Sequence, residues 1–168
     1  DNSDPIIDDA NTLNDVLGEI KTDKSGSSVA FAGDFDGDGY GDYVIGTPGY
    51  DIPPAAPAKL IKDAGRAQVI SGMNGSVLFT VVGTAKRDAM GFAVAGGNDI
   101  DNDGYDDVVI GAPNTDTTYT GSVTILYGSA NGTRTPQTIS GSVSKSRFGA
   151  SAVLGDVNGD SHADIIVG

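Results

Sequence analysis

Residues 33–42 read GDFDGDGYGD and carry four aspartates and four glycines. Two like charges in contact cost roughly 1 kcal/mol in bulk water and about 4 kcal/mol at an effective dielectric of 20, so a loop that folds these carboxylates together needs a cation. The candidate ligands stand at positions 1, 3, 5, 7 and 9 of the loop: Asp34, Asp36, Asp38, Tyr40 (through its backbone carbonyl) and Asp42. The stretch predicts a metal-binding loop over residues 34–42; the alternative is a polar turn rich in Asp and Gly.

The ligand types indicate which cation this loop would hold. All of them are hard oxygens, and calcium accepts six to eight such ligands from a flexible loop, whereas magnesium demands stricter octahedral geometry. Gly39 at position 6 can adopt the positive φ that a tight turn around an ion requires. We therefore expect Ca²⁺.

The same loop pattern occurs twice more along the chain, as NDIDNDGYDD at 98–107 and GDVNGDSHAD at 155–164. The corresponding ligands are Asp99, Asp101, Asp103, Tyr105 and Asp107 in loop 99–107, and Asp156, Asn158, Asp160, His162 and Asp164 in loop 156–164. An EF-hand would need a Glu at position 12 followed by a helix. That position is Ile45, Ile110 or Val167, each within an apolar run typical of a strand. The sequence thus predicts up to three calcium ions outside any EF-hand.

The composition narrows the class of protein. With 38% hydrophobic residues and 25 glycines in 168, the chain suits a β-rich domain, and it contains no cysteine for a disulfide or thiolate site. The net charge of −13 argues against nucleic acid or an anionic membrane as a partner, and no stretch is apolar enough to predict membrane insertion. Three calcium ions would add +6 and leave −7. Calcium loops of modest affinity fill where calcium is plentiful, so we expect an extracellular or cell-surface protein.

The flanks of the loops repeat with the loops themselves, which are 65 and 57 residues apart. A small-residue strand precedes each loop and a Val/Ile strand follows it. Further strands are predicted at 65–72 and 121–128, each followed by an Asn-Gly pair and another apolar stretch. Asn-Gly between strands favours a hairpin, although both pairs also read as glycosylation acceptors. Four antiparallel strands per repeat are typical of a propeller blade.

With MGFAVAGGNDIDNDGYDDVVIGAP (90–113) and RFGASAVLGDVNGDSHADIIVG (147–168) in view, the chain resembles the FG-GAP repeats of integrin α-subunit β-propellers and their bacterial relatives. The resemblance covers residues 15–168 and implies an all-β fold of about two and a half four-stranded blades, a partial propeller. It also implies calcium loops on one rim and ligand recognition on the opposite face. Residues 1–14 are expected to be an acidic tail or a closing segment.

The chain departs from the family pattern at several positions. Ser25 and Met90 replace the Phe of Phe-Gly, and Thr47 replaces the Ala of Gly-Ala-Pro. Asn158 and Ser161 weaken the third loop by removing one carboxylate and one glycine, so its site should bind calcium least tightly. Because the family's propellers have seven blades, we expect further blades from a longer parent chain or self-association.

Two functions remain open at this stage. The first is a non-catalytic, calcium-binding module for extracellular adhesion to a protein or glycan ligand. The alternative is the propeller portion of a secreted enzyme, of phospholipase or polysaccharide lyase type, with catalytic residues elsewhere; a structural spacer is a third. The 18 residues between Gly46 and Gly65, against nine in the next repeat, are either a tolerated insertion or a ligand-binding segment with Tyr50, Lys59 and Lys62 as contacts.

Overall fold

The computed structural model describes residues 23–53, 59–114, 116, 120–130, 134–160 and 162–168. Parts of the sequence predictions lie outside the described residues: the acidic tail or closing segment at 1–14, the first residues of the predicted propeller at 15–22, the second Asn-Gly pair at 131–132 and Ser161 of the third loop. Among the described residues there is no helix of the length and hydropathy needed to cross a membrane.

The described residues form ten strands in three antiparallel sheets, in the order β1-β2-β3-β4, β5-β6-β7-β8 and β9-β10. Their bounds are β1 Ser28–Gly33, β2 Asp42–Thr47, β3 Arg66–Ile70, β4 Val77–Val82, β5 Ala93–Asn98, β6 Asp107–Ala112, β7 Ser122–Leu126, β8 Gln137–Ser140, β9 Ala152–Gly155 and β10 Asp164–Val167. The predicted all-β fold with four-stranded antiparallel blades is confirmed.

The three sheets stack on one another, with β5 lying against both β1 and β9. Strand β6 is buried along its whole length because its side chains alternate between two interfaces. Val108 and Ile110 enter the core shared with the first sheet, whereas Val109 enters the core shared with the third. Full burial of such a side chain contributes about 1.5–3 kcal/mol, so the stacking of blades carries much of the stability.

Glycines allow the blades to approach closely. A β-carbon on Gly46 would lie 2.0 Å from the carbonyl oxygen of Gly91, and one on Gly111 would lie 2.0 Å from that of Gly149. Gly91 also donates its N–H to the Gly111 carbonyl at 3.0 Å. The glycine that ends the Phe-Gly motif and the glycine that begins Gly-Ala-Pro are therefore hydrogen-bonded partners within one repeat.

The hairpin predicted at Asn74-Gly75 is confirmed, but its connection is longer than the Asn-Gly pair. Residues 71–76 link β3 to β4, and Ser71 donates its N–H to the Ser76 carbonyl at 2.8 Å. Gly75 has a φ of 74°, while Asn74 accepts the Ser76 N–H through Oδ1 at 2.8 Å. A two-residue turn with two positive φ angles is therefore not formed.

Candidate metal sites

The first acidic loop joins β1 to β2 and gathers three carboxylates. Oxygens of Asp34, Asp36 and Asp42 lie within 4.8 Å of one another. Asp34 uses Oδ2 to accept the Gly39 N–H at 3.1 Å, but its Oδ1 is buried and has no hydrogen-bond partner. Burying an anionic oxygen without a hydrogen-bond partner costs free energy unless a cation faces it. A donor set of carboxylate oxygens alone fits a hard cation such as calcium.

The second loop joins β5 to β6 and repeats this arrangement with Asp99, Asp101 and Asp107. Asp99 accepts the Gly104 N–H at 2.8 Å, just as Asp34 accepts that of Gly39. Among the described residues, only these two loops gather three acidic groups at this distance. The third loop has Asn158 at position 3, where the others carry a carboxylate.

The aspartate at position 9 anchors each loop through backbone hydrogen bonds. In the first loop, Asp42 accepts the N–H of Phe35 at 2.9 Å and that of Gly72, beyond the end of β3, at 3.0 Å. Asp107 accepts those of Ile100 at 2.7 Å and Gly128 at 2.8 Å. These aspartates therefore tie the loop to the third strand of the blade as well as facing the other carboxylates.

Burial has a clear electrostatic effect at position 9. Asp42 and Asp107 are completely buried. Desolvation raises the pKa of Asp107 to about 6, against the lowering effect of its two backbone hydrogen bonds. Desolvation likewise raises the pKa of Asp42, opposed by the bonds from Gly72 and Phe35. A cation would favour the ionised form of both groups.

In the third loop, Asp164 is only half-buried. It accepts the N–H of Val157 at 3.0 Å, the counterpart of the bond from Phe35 to Asp42. Asp156 accepts the N–H groups of Gly159 at 2.7 Å and Asp160 at 3.2 Å, and Asn158 accepts that of Asp160 at 2.9 Å. The third loop thus has a similar backbone frame without a cluster of three carboxylates.

The aspartates at position 5 form backbone hydrogen bonds within the loop, and they stay predicted ligands. Asp38 and Asp103 are not part of the three-carboxylate clusters. Each accepts the N–H of the residue at position 7, with distances of 2.8 Å from Tyr40 and 3.1 Å from Tyr105. In the third loop, Asp160 accepts the N–H of His162 in the same way at 2.9 Å. Position 5 closes the loop in all three repeats.

Two loop positions need a left-handed backbone, and the sequence reasoning singled out one of them. Position 6 has φ angles of 88° at Gly39 and 93° at Gly104, as predicted. Position 4 is also left-handed, at 74° in Gly37, 59° in Asn102 and 81° in Gly159. The use of only Gly or Asn at position 4 was the available signal, since these residues adopt positive φ most readily.

The loops contact one another, which the sequence reasoning did not predict. Asp106, at position 8 of the second loop, accepts the Asp34 N–H at 2.9 Å and donates its own N–H to the Asp34 carbonyl at 3.3 Å. Between the second and third loops, Asn102 is hydrogen-bonded to Nδ1 of His162 at 2.5 Å. The three acidic loops therefore form a row at one end of the stacked sheets.

The predicted ligand contacts lie in the segment between β2 and β3, at the other end of the sheets. Tyr50 is half-buried, with the Arg66 guanidinium 4.4 Å from its ring centroid. Lys59 and Lys62 are exposed. A cleft of about 450 Å³ lies between the first two sheets, lined by Lys24, Ser27, Pro48, Gly49, Asp63, Ala89 and Phe92. The three predicted contacts are not among these lining residues.

Stacked four-stranded blades whose first two strands are joined by an acidic loop define a β-propeller built from acidic-loop repeats. Comparison with known families gives the particular repeat. Residues 25–70 match the FG-GAP repeat and residues 99–167 match an FG-GAP-like repeat. The chain belongs to the FG-GAP repeat family of integrin-α-like propellers.

Relatives of this chain include both integrin alpha chains and a phospholipase D. It is 37% identical over 148 residues to integrin alpha-PS2 of Drosophila melanogaster, covering 81% of this chain and 10% of the integrin. It is 32% identical to mouse integrin alpha-8, covering 85% and 13%. It is also 32% identical to bovine phosphatidylinositol-glycan-specific phospholipase D, covering 80% and 17%. The chain spans less than a fifth of the length of these relatives.

Proposed function

We propose that this chain is a calcium-binding, integrin-α-like propeller module that serves extracellular adhesion or ligand binding and is itself non-catalytic. The observation that carries the proposal is the pair of three-carboxylate clusters at equivalent places in two blades. The buried Oδ1 of Asp34, which has no hydrogen-bond partner, supports the proposal because a cation would stabilise it.

The residues that would hold calcium follow from the geometry and the loop pattern. Asp34, Asp36 and Asp42 face one another in the first loop, and Asp99, Asp101 and Asp107 do so in the second. Asp38, Asp103 and the carbonyl groups of Tyr40 and Tyr105 stay predicted ligands, as do the five residues proposed for the third loop. Bound calcium would supply charge neutralisation, and the chain's own backbone bonds to position 9 orient the carboxylates.

Ligand binding is proposed at the opposite end of the sheets from the acidic loops. The exposed ammonium groups of Lys59 and Lys62 suit an acidic protein or a charged glycan, and Tyr50 offers a partly accessible ring. An extracellular location is proposed because calcium loops of modest affinity fill where calcium is plentiful and because the chain is similar to integrins. The chain would use residues 15–168 as propeller and residues 1–14 as a tail or closing segment.

Further blades or self-association are proposed because apolar side chains are exposed on both outer faces of the stack. Val29 and Phe31 of β1 are each 65% exposed. Val153 of β9 is 57% exposed and Ile166 of β10 is 48% exposed. Their neighbours along the same strands, Ala32 and Leu154 among them, pack against the adjacent sheet. Partner blades would bury these faces as β5–β8 bury the inner ones.

The enzyme-associated alternative has a specific observation in its favour, the similarity to a phospholipase D. In that case the chain would be a non-catalytic propeller attached to a catalytic domain elsewhere in a longer protein. A glycan and protein array, probed with the full chain in calcium, separates the two. Binding that is lost in a Lys59→Ala, Lys62→Ala double variant supports the adhesion module, and absence of any binding favours the attached propeller.

Calcium binding is tested by isothermal titration of the full chain with CaCl₂, and with MgCl₂ as the control ion. We expect heat from at least two calcium sites and weaker binding of magnesium, because the flexible loops do not impose octahedral geometry. Asp36→Ala and Asp101→Ala should each remove one site. Titrations without calcium heat, together with unchanged melting in chelator, would reject the calcium assignment.

A further inference from the structure

The second acidic loop carries a basic partner of its own. Arg134, three residues before β8, places Nη1 2.6 Å from Asp101 Oδ2 and 2.5 Å from Asp103 Oδ2. These are positions 3 and 5 of the loop, so one guanidinium bridges two of the carboxylates that the sequence assigns to calcium. Such charge-assisted contacts are the stronger class of hydrogen bond.

Arg134 is also held in place by the strand before it. Its guanidinium carbon lies 4.9 Å from the centroid of the Tyr127 ring, and the Tyr127 hydroxyl donates to Gln137 Oε1 at 2.8 Å. Tyr127 follows β7 and Gln137 begins β8, so the arginine rests on a ring that the hairpin itself fixes. A stacked guanidinium of this kind gives up less freedom when it binds a carboxylate.

Within the part of the chain that the structure describes, the first loop has no counterpart to this arginine. The connection between β3 and β4, residues 71–76, reads SGMNGS and contains no Lys or Arg. Among the described residues, the ion pairs formed by loop carboxylates are those of Arg134 with Asp101 and Asp103. Instead, the first loop retains the unpartnered buried oxygen of Asp34.

We propose that Arg134 is a tethered counter-cation that competes with calcium at the second loop. Without calcium, it neutralises Asp101 and Asp103 and holds the loop near its bound shape. For calcium to enter, the guanidinium must leave or must share the carboxylates with a second positive charge, and either requirement weakens binding. Arg134 would therefore set the second site to a lower affinity than the first, and this inference rests on the proposed calcium function.

The test is a calcium titration of the full chain followed by NMR, with the amide signals of Gly39 and Gly104 as reporters of the first and second loops. Each donates to the position 1 aspartate of its own loop. Arg134→Gln should tighten binding reported by Gly104 by about three- to tenfold, the range expected for loss of two partly exposed ion pairs, and should leave the Gly39 curve unchanged. Arg134→Lys should restore weaker binding at the second loop.

Arg87→Gln is the matched control, because it removes the same charge from a residue that pairs with Asp116 at 3.5 Å, away from the loop ligands. Equal tightening in both variants would show a general charge effect and overturn the proposal, as would an unchanged Gly104 curve in Arg134→Gln.

A second measurement separates this inference from the calcium function. In chelator, Arg134→Gln should lower the melting temperature more than Arg87→Gln, because the second loop loses its counter-charge. If calcium binds but the two variants melt at the same temperature in chelator, Arg134 is not a counter-cation for the second loop. If the melting temperatures differ in this way but no calcium binds, the proposed calcium function is rejected. Competition between Arg134 and calcium is then rejected as well.

Discussion

The first and second acidic loops share a backbone frame and differ in how their charge is balanced. In both, position 9 accepts two backbone N–H groups and position 1 accepts that of the glycine at position 6. The second loop has Arg134 on two of its carboxylates, whereas the first has a buried oxygen of Asp34 without a partner. The difference teaches that the repeated sequence determines the backbone geometry of the loop. Residues outside the loop determine how strongly its carboxylates need a cation.

The two loops are nevertheless joined. Asp106 of the second loop accepts the Asp34 N–H, and a β-carbon on Gly33 would lie 2.0 Å from the Asp106 carboxylate. The Tyr105 ring lies against Gly37 in the same way, since a β-carbon on Gly37 would lie 2.4 Å from Cε1 of Tyr105. Two glycines of the first repeat thus serve contacts with the second.

The largest expected effect is the gain in stability from calcium itself. Calcium at one hundred times its dissociation constant should add about 2.7 kcal/mol per site, so two sites should add about 5 kcal/mol. Each site corresponds to roughly 5–10 °C in the melting temperature. Asp36→Ala should remove more of this gain than Asp101→Ala at a common calcium concentration, since the second site is the weaker one. Calorimetry with and without chelator measures the calcium-dependent gain in each variant. If both variants lose the same amount of this gain, the two loops do not differ in calcium affinity as proposed.

The next effect concerns the anchor at position 9. Asp42→Ala leaves the N–H groups of Phe35 and Gly72 without their acceptor and should lower the free energy of unfolding by about 3 kcal/mol in calcium. Asp38→Ala is the control, because this exposed carboxylate accepts only local loop bonds. Urea unfolding gives both values; similar losses in the two variants would mean that position 9 acts through the metal alone.

The pH dependence follows from the raised pKa of Asp107, about 6 against an ordinary 3.8. Between these values the folded, calcium-free protein binds more protons than the unfolded chain, so this group lowers stability as pH rises from about 4 to 6. Calcium requires the ionised form, so affinity at the second loop should rise about tenfold from pH 5 to pH 7. NMR titration through Gly104 checks this, and an affinity that is flat with pH contradicts it.

The smallest expected effect separates the third loop from the other two. Its site should fill last, because Asn158 supplies no charge and Ser161 stands where the other loops have glycine. Asn158→Asp and Ser161→Gly should each tighten calcium binding a few-fold. Calorimetric titration of these variants ranks the sites; the prediction is wrong if the third site fills first or if neither change strengthens it.

Much of this molecule could be predicted from local patterns. The strands alternate with a period of two, and the loops repeat the same spacing three times, so strand order, blade type and the position of the acidic loops follow from neighbouring residues. The left-handed backbone at position 4 could also be predicted, but only by comparing the three loops, which carry Gly37, Asn102 and Gly159 there.

Contacts between distant residues decided the rest. The donors to position 9, Gly72 and Gly128, lie 30 and 21 residues from their acceptors, and Arg134 lies 31 residues from Asp103. Spacing within a loop determines which carboxylates meet, because the chain between them is short. Which cation or backbone group faces them depends on how the strands pair and the sheets stack, and this is decided only when the tertiary structure forms.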